Sequence, residues 1–396
     1  MRRISLWAVF GLLAVLPVQA AAVSYQVVSI EERRVGPLVI TEETVQAGAD
    51  PAARFTLHRM TKPQAASRGA LLIMPGGASN FAFYSTDEDG KELQSFAAYL
   101  ALRGVDVWGY SPRTRGLAPG ACSGAVDCSG MRDWGMQPVV DDGLYIRERI
   151  RQVYGADRPV IAGLSLGAMS TLALMNAAPD DWAGAVVWEG MLYSANPVVL
   201  AANRVACDEV EARIAGGEIW DDANYPVIRL LYALATADPD RLTPLPGFPP
   251  GFTNRQVFLA LLATPQPAPP GYVPGYTLVV GSLEGFTYSS EARLGILIEQ
   301  LNHYEPLALI RDYTCALAGE RIFTGNLESF DEPVYAIGGG QSFGAWMGDN
   351  LDLLGSSDVT WNYVPEFGHA DHFASPDHRR LLEEPLFQWL KRVLED

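Results

Sequence analysis

Apolar and polar residues alternate over positions 25–30 and 53–58, the period-two pattern of strands with one face buried. Ala70, Leu71, Leu72, Ile73 and Met74 instead form an unbroken apolar run that ends in the turn Pro75-Gly76-Gly77. Such a run suits a strand covered on both faces, as in a parallel sheet. The period then lengthens. Leu93, Phe96 and Leu100 recur at helical spacing until Gly104, which fits the residue just past a helix C-terminus. A strand is predicted over 105–110. A helix follows through Val139, Gly143, Ile146, Ile150 and Val153, stopping at Gly155. Another strand is predicted over 159–162, an apolar helix over 166–177 and a further strand over 183–188. Alternation of strand and helix from 70 to 188 predicts an α/β fold: an open, mostly parallel sheet flanked by helices, with right-handed crossovers.

The alternation stops near Gly190. To about Gly325 helical fragments and turns follow, with nine prolines between Pro244 and Pro274. Aromatic and aliphatic residues are interleaved throughout, which predicts a mainly helical cap rather than a linker. The sheet pattern resumes at 333–337 and 359–364, and Leu386, Leu390, Val393 and Leu394 mark one stripe of a closing helix. The expected organisation is a leader over 1–20, a first part of the core over 21–190, a cap insertion over 191–328 and a second part of the core over 329–396.

The leader reading rests on Arg2 and Arg3 ahead of a short apolar stretch that ends at Val18-Gln19-Ala20, the small-residue cleavage pattern of an export signal. That stretch is short for a membrane span, and no later run nears ~20 apolar residues. The chain is therefore expected in the periplasm or outside the cell, with no stable membrane anchor. In an oxidising compartment the four cysteines are expected in two disulfides. Proximity pairs Cys122 with Cys128 and leaves Cys207 for Cys315, near the two ends of the cap. The net charge of −17 repels phosphate backbones, so nucleic acid is not an expected partner.

Gly163-Leu164-Ser165-Leu166-Gly167 is a G-x-S-x-G motif between a predicted strand and a predicted helix. A serine on so sharp a turn is lifted to the sheet edge, and glycines relieve the crowding around it. The helix beginning just after it aims its N–H groups and positive dipole end at the same place. A serine nucleophile needs a base. Of the five histidines, His369 follows the last predicted strand in Gly368-His369-Ala370-Asp371-His372 and is the expected base. His372 is the rival. Asp371 is expected to order the loop, His58 to be structural and His303 to lie in the cap. A tetrahedral intermediate needs donors for its oxyanion. The N–H groups of Leu166 and Gly77 are the candidates, with Ala78 as the alternative to Gly77.

Together these elements resemble the α/β-hydrolase superfamily over most of 50–190 and 330–396. The Gly-His-x-Asp loop and the strand through Val107-Trp108 are similar to secreted and lysosomal-type lipases and esterases. The resemblance implies an eight-stranded, mostly parallel sheet with nucleophile, acid and base on loops at one edge. It also implies an acid after strand 333–337, near Gln341 or Ser342, and neither residue holds an imidazolium by charge. Some members, haloalkane dehalogenases among them, carry the acid one strand earlier, which here is Glu189. A carboxylate ending an apolar strand is costly unless paired. Glu189 is accordingly assigned as the acid, with Asp349 and Asp352 as alternatives on a longer loop. The chemistry expected is hydrolysis of a carboxylic ester with a small apolar acyl or aryl group, through an acyl-enzyme on Ser165, with no cofactor and no metal. A secreted peptidase or amidase and a catalytically inactive binding protein are the alternatives.

Overall fold

The computed structural model describes residues 23–63, 66–124, 126–155, 158–222, 224–248, 250–263, 279–280 and 283–395. The predicted leader lies outside them. Nine strands form one sheet: β1 (Tyr25–Val35), β2 (Leu38–Ala47), β3 (Arg54–Thr61), β4 (Gly69–Met74), β5 (Val105–Ser111), β6 (Val160–Leu164), β7 (Gly184–Trp188), β8 (Val334–Gly339) and β9 (Val359–Val364). Their spatial order is β1-β2-β3-β5-β4-β6-β7-β8-β9. The pairs β1–β2, β2–β3 and β3–β5 are antiparallel, and every pair from β5 to β9 is parallel. The sheet has one strand more than the eight the resemblance implies, and β2 occupies a stretch for which no strand is predicted.

Three helices connect the central strands: α1 (Phe96–Ala101), α2 (Met136–Tyr154) and α3 (Leu166–Ala177). The predicted helix through Leu93 starts later than its spacing suggests. Ser95 caps it, its hydroxyl accepting from the Ala98 N–H, and this fixes the first turn at Phe96. Leu93 is left exposed in a separate turn. Gly155 ends α2 in the left-handed conformation, φ +76°, as a helix-stopping glycine does.

Between β7 and β8 lie α4 (Pro197–Ala215), α5 (Asn224–Ala237), α6 (Asn254–Ala263), α7 (Glu291–Glu299) and α8 (Leu307–Leu317). Cys207 of α4 is bonded to Cys315 of α8, and Cys122 to Cys128. Part of this insertion belongs to the main core, where Leu309, Ala316 and Leu317 pack with residues of α2 and α3. The chain closes with α9 (Glu384–Glu395). Leu72 of β4 faces Ile146 and Leu172 on one side of the sheet, while Leu71 and Ile73 face Leu100, Leu386 and Leu390 on the other. Burial on both faces is the reason the β4 run shows no alternation. Among the described residues no helix is long and apolar enough to cross a membrane.

Candidate active site

Ser165 sits between the last residue of β6 and the first of α3, half-buried, with φ +60° and ψ −121°. A non-glycine residue in that region is strained by about 1–3 kcal/mol and persists only where its surroundings hold it. The surroundings are visible. A Cβ on Gly163 would collide with the Gly167 carbonyl, one on Gly167 with the Met74 carbonyl, and one on Gly190 with the Ser165 carbonyl. Both motif glycines are therefore required by close backbone approach. The Ser165 N–H donates to the Trp188 carbonyl at 2.8 Å, which ties the turn to the end of β7. Four described non-glycine residues have positive φ. Three of them, Ala78 (+48°), Ser165 (+60°) and Glu189 (+52°), lie at this one sheet edge.

Glu189 follows β7 and is fully buried, its N–H donating to the Ile337 carbonyl at 2.9 Å. Its Oε1 accepts from the Gly339 N–H, and its Oε2 from the Ser342 hydroxyl. The same Oε2 lies 3.3 Å from His369 Nδ1. Burial pushes the Glu189 carboxyl above its ordinary range, while His369, Ser342 and the Gly339 N–H pull the other way. A carboxylate Oε2 accepts a hydrogen bond from Nδ1–H, which leaves Nε2 as the basic ring nitrogen. His369 is itself buried, with its ring 5.2 Å from that of Phe343.

The other candidates separate from this pair. Asp349 accepts from the Ser194 hydroxyl and the Ala195 N–H, both at 2.7 Å, and Asp352 is exposed. His372 is buried against Phe367, and burial depresses its pKa to about 4. Asp371 accepts from the Gly368 N–H at 2.6 Å and from the Ser289 hydroxyl at 2.5 Å. His303, in the insertion, lies 2.9 Å from Arg229 Nη1. His58 is buried in β3, with Nε2 2.8 Å from the Ser111 hydroxyl.

The Pro75–Phe81 stretch crosses above the serine turn. A Cβ on Gly76 would lie 3.6 Å from Ser165 Cβ, and one on Gly77 3.8 Å from Leu166 Cβ. Contacts that sequence reading did not find hold this loop. The Phe81 N–H donates to the Ser111 hydroxyl at 3.1 Å, on the core side. From the insertion, Asn302 gives its backbone N–H to the Ala78 carbonyl and its Nδ2 to the Ser79 carbonyl at 3.1 Å. Asn80 Nδ2 reaches the Gln300 carbonyl at 2.8 Å. Beside the loop lies a cavity of about 50 Å³, whose walls include Tyr110, Trp134, Val139, Leu166, Glu305 and Leu309.

The sheet order, with a strained serine ahead of α3 and a Glu–His pair from the loops after β7 and β9, defines an α/β-hydrolase fold. Solved structures agree on that fold. A putative lipase from Sulfolobus solfataricus superposes with a TM-score of 0.64 at 18% identity, covering 93% of this chain and 99% of its own. A thermostable carboxyl esterase from Bacillus coagulans superposes with a TM-score of 0.53 at 14% identity, covering 94% and 99%. No family model matches the sequence, and no curated protein matches it.

Proposed function

We propose that the protein is an exported serine hydrolase that cleaves carboxylic esters through an acyl-enzyme on Ser165. The observation that carries this reading is a strained serine, enclosed by glycines that no other residue can replace, beside a buried Glu189–His369 pair. In this reading Ser165 Oγ attacks the ester carbonyl and His369 Nε2 takes its proton. Glu189 orients the ring and balances the imidazolium. The N–H groups of Leu166 and Gly77 receive the charge that gathers on the carbonyl oxygen. Collapse expels the alcohol, which takes the proton from His369. Water then attacks the acyl-enzyme with His369 again as base, releasing the acid and restoring Ser165. The chemistry calls for no cofactor.

The small, largely apolar cavity beside the Pro75–Phe81 loop supports a short acyl or aryl group. Two disulfides support an oxidising compartment. The test is a fluorophosphonate probe. It is expected to label wild type at Ser165 and to leave Ser165→Ala unlabelled; failure to label the wild type removes the reading. Among p-nitrophenyl esters from acetyl to octanoyl, the short ones are expected to turn over fastest. Faster cleavage of acyl anilides would move the assignment to an amidase.

A further inference from the structure

Phe81 closes the loop that carries Gly77, and it is seated in a socket of three residues from β3 and β5. His58 and Gly109 stand opposite each other where those strands pair, and a Cβ on Gly109 would collide with the Phe81 ring. The ring therefore fills the place of the side chain that Gly109 lacks, and it stacks on the His58 imidazole at 5.1 Å and 27°. Ser111, the last residue of β5, completes the socket. Phe81, His58 and Ser111 are all buried. The Ser111 hydroxyl takes part in two hydrogen bonds, accepting from the Phe81 N–H at 3.1 Å and meeting His58 Nε2 at 2.8 Å.

The direction of the second bond follows from the far side of the ring. Glu42 Oε1 lies 3.7 Å from Nδ1 and draws the ring proton there. Burial holds the His58 pKa below its ordinary value, with Arg115 and Arg33 adding to it against Glu42, so the imidazole is neutral at neutral pH. Nε2 is then an acceptor, the Ser111 hydroxyl donates to it, and the lone pairs of Ser111 Oγ are left for the Phe81 N–H. Without an acceptor at Nε2, the buried hydroxyl turns to find another and its bond to Phe81 weakens. Between Phe81 and Gly77 stands Ala78 at φ +48°, a conformation that persists only while its surroundings hold it. Ser79 gives its N–H and its hydroxyl to the Gly76 carbonyl, at 3.1 and 3.0 Å, so the turn around Gly77 moves as one piece with that strained residue. We propose that His58 is a positioning residue for ester hydrolysis: through Ser111 it keeps Phe81 seated, and the seated Phe81 keeps the Gly77 N–H aligned on the oxyanion. This inference rests on the serine-hydrolase reading and extends it to the β3–β5 pair that seats the loop.

The test is steady-state hydrolysis of p-nitrophenyl acetate by His58→Phe and His58→Gln. Phenylalanine keeps a flat ring against Phe81 but offers Ser111 no acceptor, whereas glutamine brings an amide oxygen near the place of Nε2. His58→Phe is expected to lower kcat by about tenfold or more with KM within about twofold of wild type, the pattern of a donor lost to the transition state and not to the substrate. His58→Gln is expected to recover most of that loss. A folded His58→Phe with kcat within about twofold of wild type overturns the role of His58, as does a change confined to KM. A loss that folded His58→Gln shares in full overturns it too, because the ring's packing and not its acceptor would then matter. If His58→Phe does not fold, Ser111→Ala takes its place, since it removes the acceptor of the Phe81 N–H itself. A fall in kcat at constant KM is again expected, and an unchanged kcat overturns the inference. Fluorophosphonate labelling of Ser165 separates the two claims. Labelled wild type whose variants turn over at its own rate sinks only this inference, whereas unlabelled and inert wild type sinks the hydrolase itself.

Discussion

Glu189 is held by three donors from two later segments: the Gly339 N–H, the Ser342 hydroxyl and His369 Nδ1. Ser342 stands where the resemblance would put an acid, and its hydroxyl instead donates to the Glu189 carboxylate, which follows a strand one place earlier. Glu189→Gln is expected to favour the wrong His369 tautomer and lower kcat by about 10³–10⁴-fold, the scale seen when a triad carboxylate becomes an amide. Asp352→Asn should leave turnover unchanged. Asp349→Asn should also keep turnover while costing about 1 kcal/mol of stability, because it weakens the bonds to Ser194 and Ala195. Turnover by Glu189→Gln near wild type would reopen the choice of acid. His372 makes a prediction of the opposite kind. Neither ring nitrogen has a hydrogen-bond partner among the described residues, and burial depresses the pKa to about 4. The unfolded chain binds this proton near pH 6.5 and the folded protein only near 4, so stability is lost as pH falls between those values. The loss approaches about 3 kcal/mol once pH is below both. Urea titrations of wild type and His372→Phe at pH 7 and pH 4 check it, and an equal acid loss in both proteins would show that the residue contributes nothing.

The loop from Pro75 to Phe81 carries Gly77, one of the two proposed oxyanion donors, and it is fastened at two ends. The Ser111 hydroxyl, itself paired with His58, accepts from the Phe81 N–H on the core side, and Asn302 and Gln300 hold Ala78, Ser79 and Asn80 from the insertion. Asn302→Ala removes the side-chain bond to the Ser79 carbonyl. It should lower kcat by about 10–100-fold with little change in KM, because a donor slightly displaced loses more in the transition state than in the ground state. A rise in KM at constant kcat would instead make Asn302 a substrate contact. Almost none of this fastening is legible from sequence, since each bond joins positions far apart in the chain and asparagine carries no periodic signature. What is legible is local. The β4 run announces burial on both faces, the two motif glycines announce a backbone crossing, and Glu189 stands out as a charge ending an apolar strand. The strand β2 was hidden for a physical reason. Glu43 interrupts its apolar pattern, yet it is buried, because Arg149 of α2 grips both of its carboxylate oxygens at 2.9 Å. A paired buried charge looks like a surface residue until its partner is known. Leu93 misled in the opposite way, apolar at helical spacing but outside the helix that Ser95 begins.

Across the whole molecule, the insertion between β7 and β8 is joined to the sheet domain by packing and by the Asn302 contacts, and it carries a cross-link of its own between α4 and α8. Cys207 and Cys315 are 108 residues apart in the chain, whereas Cys122 and Cys128 are separated by only 6. Closing a long loop removes more freedom from the unfolded chain than closing a short one, so Cys207→Ala/Cys315→Ala should cost about 2–5 kcal/mol and Cys122→Ala/Cys128→Ala less. A second consequence follows from where the larger loop runs. Asn302 and Glu305 both lie inside it, a few residues before α8, and α8 carries Cys315. Release of α4 from α8 should therefore loosen the segment that holds the oxyanion loop as well as lower the melting temperature. Fluorophosphonate labelling of Ser165 at 25 °C, where the variant remains folded, is expected to slow in Cys207→Ala/Cys315→Ala and to keep its rate in Cys122→Ala/Cys128→Ala. If the first variant melts earlier but labels at the wild-type rate, the cross-link stabilises the fold without reaching the site. The grip on Ala78 and Ser79 would then have to be maintained by the packing of Leu309, Ala316 and Leu317 into the core.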